Sequence, residues 1–464
     1  MEHRPAGQGR NGVLRLLSLD LAFADERCAE LLSDRQLLAA MARFEAALAL
    51  AESRTGLVPA EHAQTIARVC ERAEFDATAL ARAARTTGAI AIPFVQSLTA
   101  QVAAVSAEAA RHVHFGATSQ DVTDTAVALC LRSAGERLIG LATRAGDAAA
   151  QLAERHAHTP LAARTLLQPA LPVPFGWKAA VWLSALTRSR SRLPAALAQA
   201  CTLQFGGAGG TLSAFGARGD AVAEALAGEL DLPRPALPWH SARDAFARLG
   251  AEIAIVAGAV GKIGRDVSLL MQAEVGEAAE PAAAGRGGSS SLPHKRNPVG
   301  SLLALEAAQR APGLAATLLV QLAPEHERGL GQWQSQWFTL RELLCSAASG
   351  AAAMAEVLEG LEVDAAAMRR NLERTRGLVY SEAVAVRLAR TLGKAAAHQL
   401  TEKLCARAQR EGITLLEALR ADPEAARAIP APELPALFDA ENAFGSAGAM
   451  IARALAEWHA VRAS

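Results

Sequence analysis

The stretch Gly285-Arg-Gly-Gly-Ser-Ser-Ser-Leu-Pro-His-Lys-Arg-Asn-Pro298 gathers more chemically useful groups than any other part of the chain. Its glycines permit a loop that can close over a ligand. The serines supply hydroxyls, and Lys295 and Arg296 supply positive charge. Asn297-Pro298 reads as an N-cap followed by proline at the first helical position, so the loop is expected to end on a helix N-terminus, a natural anion site. Taken alone, such a Gly/Ser cluster is equally compatible with an ordinary surface loop.

Three further stretches hold polar groups at suggestive spacing. His114-Phe-Gly-Ala-Thr-Ser-Gln-Asp-Val-Thr-Asp-Thr125 contains the capping pattern Thr118-x-x-Asp121 and is expected to open a helix, a task that needs no function. Arg164-Thr-Leu-Leu-Gln-Pro-Ala-Leu-Pro172 places Arg164, Thr165 and Gln168 just before another helix start, and alone it reads as an ordinary turn. His326-Glu-Arg-Gly-Leu-Gly-Gln-Trp-Gln-Ser-Gln-Trp337 puts His326, Arg328 and two tryptophans near the front of a helix, where the bland reading is a solvated helix with core tryptophans.

The elements that must position these residues are helices. Hydrophobic residues make up 51% of the chain but aromatics only 4%, and the apolar content is mainly Ala and Leu, which favour helix over strand. An interior proline costs a helix roughly 3 kcal/mol, so long gaps between prolines mark room for long helices. Three gaps stand out, at 94–159, 239–280 and 325–422. In the second, Leu249, Ile253, Val256, Val260, Ile263, Val267 and Leu270 recur at alternating steps of four and three, the seam of a long bundle helix. Such a helix needs partners, which a bundle shared between subunits or one within a monomer would supply. Shorter helices are expected over Asp34 to Thr55, Glu61 to Ala73 and Asp76 to Thr86, and again after about residue 365. These divisions give three domains: 1–112, a helical cap; 113–365, a long-helix middle; and 366–464, a helical tail.

With 464 residues the chain is long enough for two or three folding units. Lys plus Arg (47) balance Asp plus Glu (47), so no global field favours nucleic acid or an anionic membrane. Nothing approaches a membrane span of about 20 apolar residues. Cys28, Cys70, Cys130, Cys201, Cys345 and Cys405 are far apart and form no CxxC pair, which suits reduced thiols in a reducing compartment rather than a disulfide framework or a zinc site. A cytoplasmic protein without metal is expected.

Together the four stretches resemble the fumarase/aspartase superfamily. Gly288-Ser-Ser-Ser-Leu-Pro-His-Lys-Arg-Asn297 is similar to its signature Gly-Ser-Ser-x-(Met/Leu)-Pro-x-Lys-x-Asn, and the Thr-Ser segment, the Arg-Thr…Gln segment and the signature loop follow in its order. The resemblance spans nearly the whole chain. It implies an all-α, three-domain homotetramer whose central domains form a 20-helix bundle, with each of four sites assembled from three subunits. Within the superfamily, His114 to Asp124, Gln204-Phe-Gly-Gly-Ala-Gly-Gly-Thr211, Glu274-Val-Gly-Glu…Glu280-Pro and the His326 to Trp337 stretch resemble the 3-carboxy-cis,cis-muconate cycloisomerases, which lactonise 3-carboxymuconate to 4-carboxymuconolactone in the protocatechuate branch of aromatic degradation.

That resemblance implies a small polycarboxylate substrate and no cofactor. Ser289 would be the proton-transfer residue, with Lys295 and Asn297 completing the catalytic set. Thr118, Ser119, Gln120, Arg164, Gln168, Ser290, His294 and Arg328 would bind substrate, the charge of the intermediate being held by the helix N-termini near Asn297 and Ser119 and by Lys295. Adenylosuccinate lyases share Pro-His-Lys-Arg-Asn, but their nucleotide-binding Arg would fall near Trp337, which cannot hold a phosphate as Arg does. Both families usually carry a histidine where this chain has Pro169, so the proposed acid/base at that position is missing, and Leu292 stands where Met is usual. Two rival readings are a β-eliminating lyase that releases fumarate from a substituted succinate and a structural lens protein of the argininosuccinate lyase type, against which the intact loop argues.

Overall fold

The computed structural model of the chain describes residues 18–282, 287–288, 292 and 295–463. Helices dominate it. In chain order they are α1 (Glu26–Leu31), α2 (Asp34–Arg54), α3 (Ala60–Arg72), α4 (Ala77–Thr87), α5 (Ala91–Ala103), α6 (Ala107–Ala110), α7 (Ser119–Arg155), α8 (Phe175–Ala200), α9 (Gly219–Leu230) and α10 (Asp244–Leu270). There follow α11 (Val299–Val320), α12 (Gln332–Glu359), α13 (Ala365–Glu373), α14 (Ser381–Leu392), α15 (Lys394–Glu411), α16 (Leu415–Arg420), α17 (Pro423–Ala428), α18 (Leu434–Leu437) and α19 (Ala447–Ala463). The strands among the described residues form two antiparallel pairs. β1 (Pro160–Thr165) pairs with β2 (Gln168–Pro174), and two-residue β3 (Ala278–Ala279) pairs with β4 (Glu362–Val363).

The seam read from the sequence is α10, and Leu249, Ile253, Val256, Val260, Ile263, Val267 and Leu270 are all buried. The first gap holds α7, 37 residues long, and the third begins with α12. The proline criterion misses two other long helices, because α8 contains Pro194 and α11 contains Pro312. In α8 the buried Leu186, Leu193 and Leu197 continue across the proline, and in α11 Ala307, Ala311, Ala315 and Leu318 do the same. Packing of a continuous apolar stripe outweighs the lost hydrogen bond there.

The chain divides into two compact units. One comprises residues up to Ile139, Arg192–Ile255 and Gln309–Ser349. There α2 packs against α3 and α9, with Ser33 capping α2 and Asp76 capping α4. The other comprises Gly140–Ser191, Val256–Ala308 and residues from Gly350 onward. Its terminal part has its own core, in which Val384, Leu388, Leu400, Leu404, Leu415, Leu419 and Ile429 pack together. Helix α19 docks through buried Trp458, whose indole N–H donates to Asp147 (3.0 Å) over Gly146, where a Cβ would lie 2.2 Å from the ring.

The third stretch is a hairpin rather than a simple turn. Arg164 pairs across it with Pro169 and Thr165 with Gln168, leaving Leu166 and Leu167 as its two-residue turn. Both leucines have positive φ (50° and 65°) and are 97% and 78% exposed. A tight hairpin turn demands that backbone, which normally selects Asn and Gly.

Candidate active site

In the first unit the site is built around the start of α7. Asp121, fully buried, uses Oδ2 to accept from the Thr118 (3.1 Å) and Gly207 (2.9 Å) backbone N–H groups. Its Oδ1 meets the Gly206 N–H (3.0 Å), the Gln204 amide (3.2 Å) and His240 Nε2 (2.7 Å). Half of the expected capping box is therefore formed, and the same carboxylate fastens the Gly-rich turn to the helix start. That turn needs glycine at 207, where φ is +67° and a Cβ would sit 2.9 Å from the Gly116 carbonyl oxygen.

The Thr118 hydroxyl accepts from Arg328 Nη1 (3.2 Å). Arg328 also donates through Nε to Gln120 Oε1 (3.0 Å), and through Nη2 to the carbonyls of Gly207 (3.4 Å) and Ala208 (3.3 Å). A guanidinium has five N–H donors, so these bonds leave one Nη1 hydrogen uncommitted among the described residues. Arg328 and His326 lie in the turn before α12, not on the helix as the sequence suggested, and His326 has φ 47°. A half-buried cation, a hydroxyl and the N–H groups of the first turn of α7 thus stand together, a receptor suited to a carboxylate. Ser119, the first residue of α7, is half-buried beside them.

Nearby, His114 Nδ1 lies 2.6 Å from Glu45 Oε1. Burial opposes charge on this imidazole, but the charge and hydrogen bond of Glu45, with Asp121 behind them, outweigh it and raise its pKa above the ordinary value.

In the second unit Arg164 makes a two-pronged pair with fully buried Glu277 (2.8 and 2.7 Å), which also accepts from Asn371 (2.7 Å). Lys178, in the first turn of α8, is held below its ordinary pKa by burial, against the pull of Asp266. Gln168 and Pro169 are exposed on the hairpin.

The loop base departs from expectation. Helix α11 begins at Val299, and the groups at its N-terminus are met by buried Glu280, not by Asn297. Glu280 accepts from the Gly300 N–H (2.9 Å), the Ser301 N–H (2.7 Å) and the Ser301 hydroxyl (2.7 Å). Its carbonyl accepts from Arg296, which also pairs with Glu362 (2.8 Å). Asn297 instead donates its backbone N–H to the Gly287 carbonyl (2.8 Å) and its amide to Gly288 (3.4 Å). A carboxylate of the chain therefore already fills the anion site expected at this terminus.

Thr118, Gln120 and Arg328 are thus in direct contact, and Ser119 adjoins them. Arg164 is engaged with Glu277. Lys295 is exposed, while Ser289, Ser290 and His294 lie outside the described residues. Sequence reasoning assigned no task to Asp124, His240, Arg243, Glu277 or Glu280. The two glutamates carried a signal, as acids flanking a glycine and a proline just before the loop. Among the described residues no cluster of His, Cys, Asp and Glu could hold a metal ion, and no helix is long and apolar enough to cross a membrane.

Comparison with known proteins places this geometry in a class. The family described as "Lyase" matches residues 23–313, and "Adenylosuccinate lyase C-terminus" matches residues 377–454. The chain belongs to this lyase family and is an enzyme of the fumarase/aspartase type. It is 50% identical to a protein named 3-carboxy-cis,cis-muconate cycloisomerase from Pseudomonas aeruginosa, over 92% of this chain and 94% of that one. It is 43% identical to nitrosuccinate lyase of Streptomyces davaonensis over 91% of each. The crystal structure of 3-carboxy-cis,cis-muconate lactonizing enzyme from Pseudomonas putida superimposes with a TM-score of 0.91 at 43% identity, covering 96% of this chain and 99% of that chain.

Proposed function

We propose that the chain is a 3-carboxy-cis,cis-muconate cycloisomerase, closing its substrate to 4-carboxymuconolactone in the protocatechuate branch of aromatic degradation. The observation that carries the reading is the Arg328–Thr118 receptor at the start of α7, in a chain half identical to a cycloisomerase. A carboxylate oxygen of the substrate bonds to the ring-closing carbon, and the displaced electron pair moves into a neighbouring carboxylate. A proton is then added to carbon. Stabilising the charge of that intermediate is the largest demand. Arg328, Thr118, Ser119 and Arg164 hold carboxylates in this scheme, with Gln168, Ser290 and His294 around them. Ser289 transfers the proton, and Lys295 and Asn297 support the charge. No metal or cofactor enters.

The missing histidine fits this chemistry. A departing amine or hydroxide needs protonation, worth typically 10²–10⁴-fold, whereas a carboxylate leaves as a stable anion. Buried Trp337 stands where a nucleotide-binding arginine would be, which also speaks for a substrate without phosphate.

We further infer a cytoplasmic homotetramer with a 20-helix core, domains 1–112, 113–365 and 366–464, and sites completed by neighbouring copies. Exposed Val181, Ile255, Leu302, Leu319 and Phe338 on the long helices support it, since such residues gain by meeting another chain. Mixing inactive Ser289→Ala with inactive Thr118→Val after reversible dissociation is expected to restore activity, and verified mixed tetramers without activity would argue for sites within one chain.

The function is tested by adding pure protein to 3-carboxy-cis,cis-muconate and following its ultraviolet absorbance. Loss of the diene absorbance with lactone formation is expected. An inert mixture, with fumarate released from nitrosuccinate instead, would replace the cycloisomerase by a β-eliminating lyase.

A further inference from the structure

A buried polar relay behind Arg328 has no part in the scheme above. Gln120 is 0% exposed. Its Nε2 donates to Asp124 Oδ2 (2.9 Å) and to the His240 carbonyl (2.9 Å), while its Oε1 accepts from Arg328 Nε (3.0 Å). Turning the amide over would face its NH₂ against a guanidinium and its oxygen against a carboxylate and a carbonyl, so its partners fix its direction. Asp124 is itself immobilised. Its two oxygens take Nη1 (2.5 Å) and Nη2 (3.0 Å) of Arg243, which is 2% exposed. Arg243 donates in turn to Gln336 (2.8 Å) and lies against the rings of Trp239 and Phe246, 4.8 and 4.9 Å from their centroids.

We propose that Gln120 is a positioning residue rather than a substrate ligand: the buried Arg243–Asp124 pair locks its amide, and the amide oxygen aims Arg328 so that its uncommitted N–H faces the substrate carboxylate. The proposal rests on the carboxylate-binding role given to Arg328 above. Three elements distant in sequence build the relay, the start of α7, the segment 239–246 and the turn before α12, so the direction of Arg328 is set by the core and not by its own exposed turn. The charged groups around residue 120 are Asp121 and Asp124 on its own helix, Arg243 and His240 on the neighbouring segment, and Arg328.

The test is Gln120→Glu. Protonated, the new side chain keeps two of the three wild-type bonds, an O–H donating to Asp124 and a carbonyl accepting from Arg328, and loses only the donation to the His240 carbonyl. Ionised, it repels Asp124 and neutralises Arg328. Burial and Asp124 favour the protonated form and Arg328 favours the ionised one, so the variant carries a titration that the wild-type amide lacks. The expected result is a KM for 3-carboxy-cis,cis-muconate close to wild type at acidic pH, rising relative to wild type as pH increases. The rise should be about tenfold or more, the size of one hydrogen bond to a charged group, with kcat changed far less. Gln120→Met, which fills the space without either bond, should raise KM at every pH. A structural role alone would lower the melting temperature without a reversible pH-dependent KM. Wild-type KM in folded Gln120→Met, or a Gln120→Glu profile parallel to wild type, overturns the proposal. If the wild-type protein turns the substrate over while either result holds, the positioning role falls and the function stands; no wild-type turnover removes the functional reading itself.

Discussion

Glu52 offers the sharpest test of how the first unit is held together. It lies on the buried face of α2, and neither of its carboxylate oxygens has a hydrogen-bond partner among the described residues. Burial first, and the charge of Glu45 second, push its pKa from 4.5 up to about 9. The folded chain therefore keeps this proton long after the unfolded chain has released it. Stability from the group is fully present below the unfolded value and is lost as pH rises toward the folded one. At pH 7 about 2.5 of those units have been crossed, and at about 1.36 kcal/mol per unit the loss is about 3 kcal/mol. Glu52→Gln removes the titration and almost nothing else. Urea denaturation of both proteins across a pH series should give equal stabilities near the unfolded pKa. At neutral pH the Gln variant should gain about 3 kcal/mol. A difference that does not change with pH would refute the reasoning, since it would mean that the Glu52 carboxylate is solvated or paired.

Ser289→Ala should leave the fold intact and lower turnover at least about 10²-fold, the low end for removing a positioned acid/base; Lys295→Met should also cripple turnover, and steady-state rates beside circular dichroism check both. Replacing Leu166-Leu167 by Asn-Gly should stabilise the protein by about 1–2 kcal/mol in thermal or urea unfolding, because both leucines occupy the left-handed region. The wild-type protein should release no fumarate from adenylosuccinate or malate, and Pro169→His should give no large gain in cycloisomerisation. Substantial fumarate from adenylosuccinate would overturn the account of the missing histidine.

The long helices were legible where one periodic stripe carried the information, as in α10, whose seven seam residues are all buried. They were illegible where a local rule was overridden by burial on both sides of it, at Pro194 and Pro312. The hairpin at 160–174 was hidden because its turn residues are two leucines, the opposite of a turn signal. Within the candidate site the residue types at 118–120, 164 and 328 pointed to anion chemistry, yet not to their internal partners. Arg243 reaches Asp124 across 119 positions and Glu280 reaches Ser301 across 21, and no window along the sequence contains such pairs.

Gly261 and Gly264 let α10 approach α11 unusually closely. A Cβ at 261 would lie 2.3 Å from that of Ala308, and one at 264 would lie 3.1 Å from the Ser301 carbonyl oxygen. A contact made by glycines and small residues has almost no rotamers through which it can rearrange, and close-packed interiors are not continuously deformable. The start of α11, whose first N–H groups are held by Glu280, is thereby seated on a stiff backbone-to-backbone joint. A push on that end should therefore cross the joint and move the segments around Gly261 and Ala308 together as one piece, instead of bending α11 on its own.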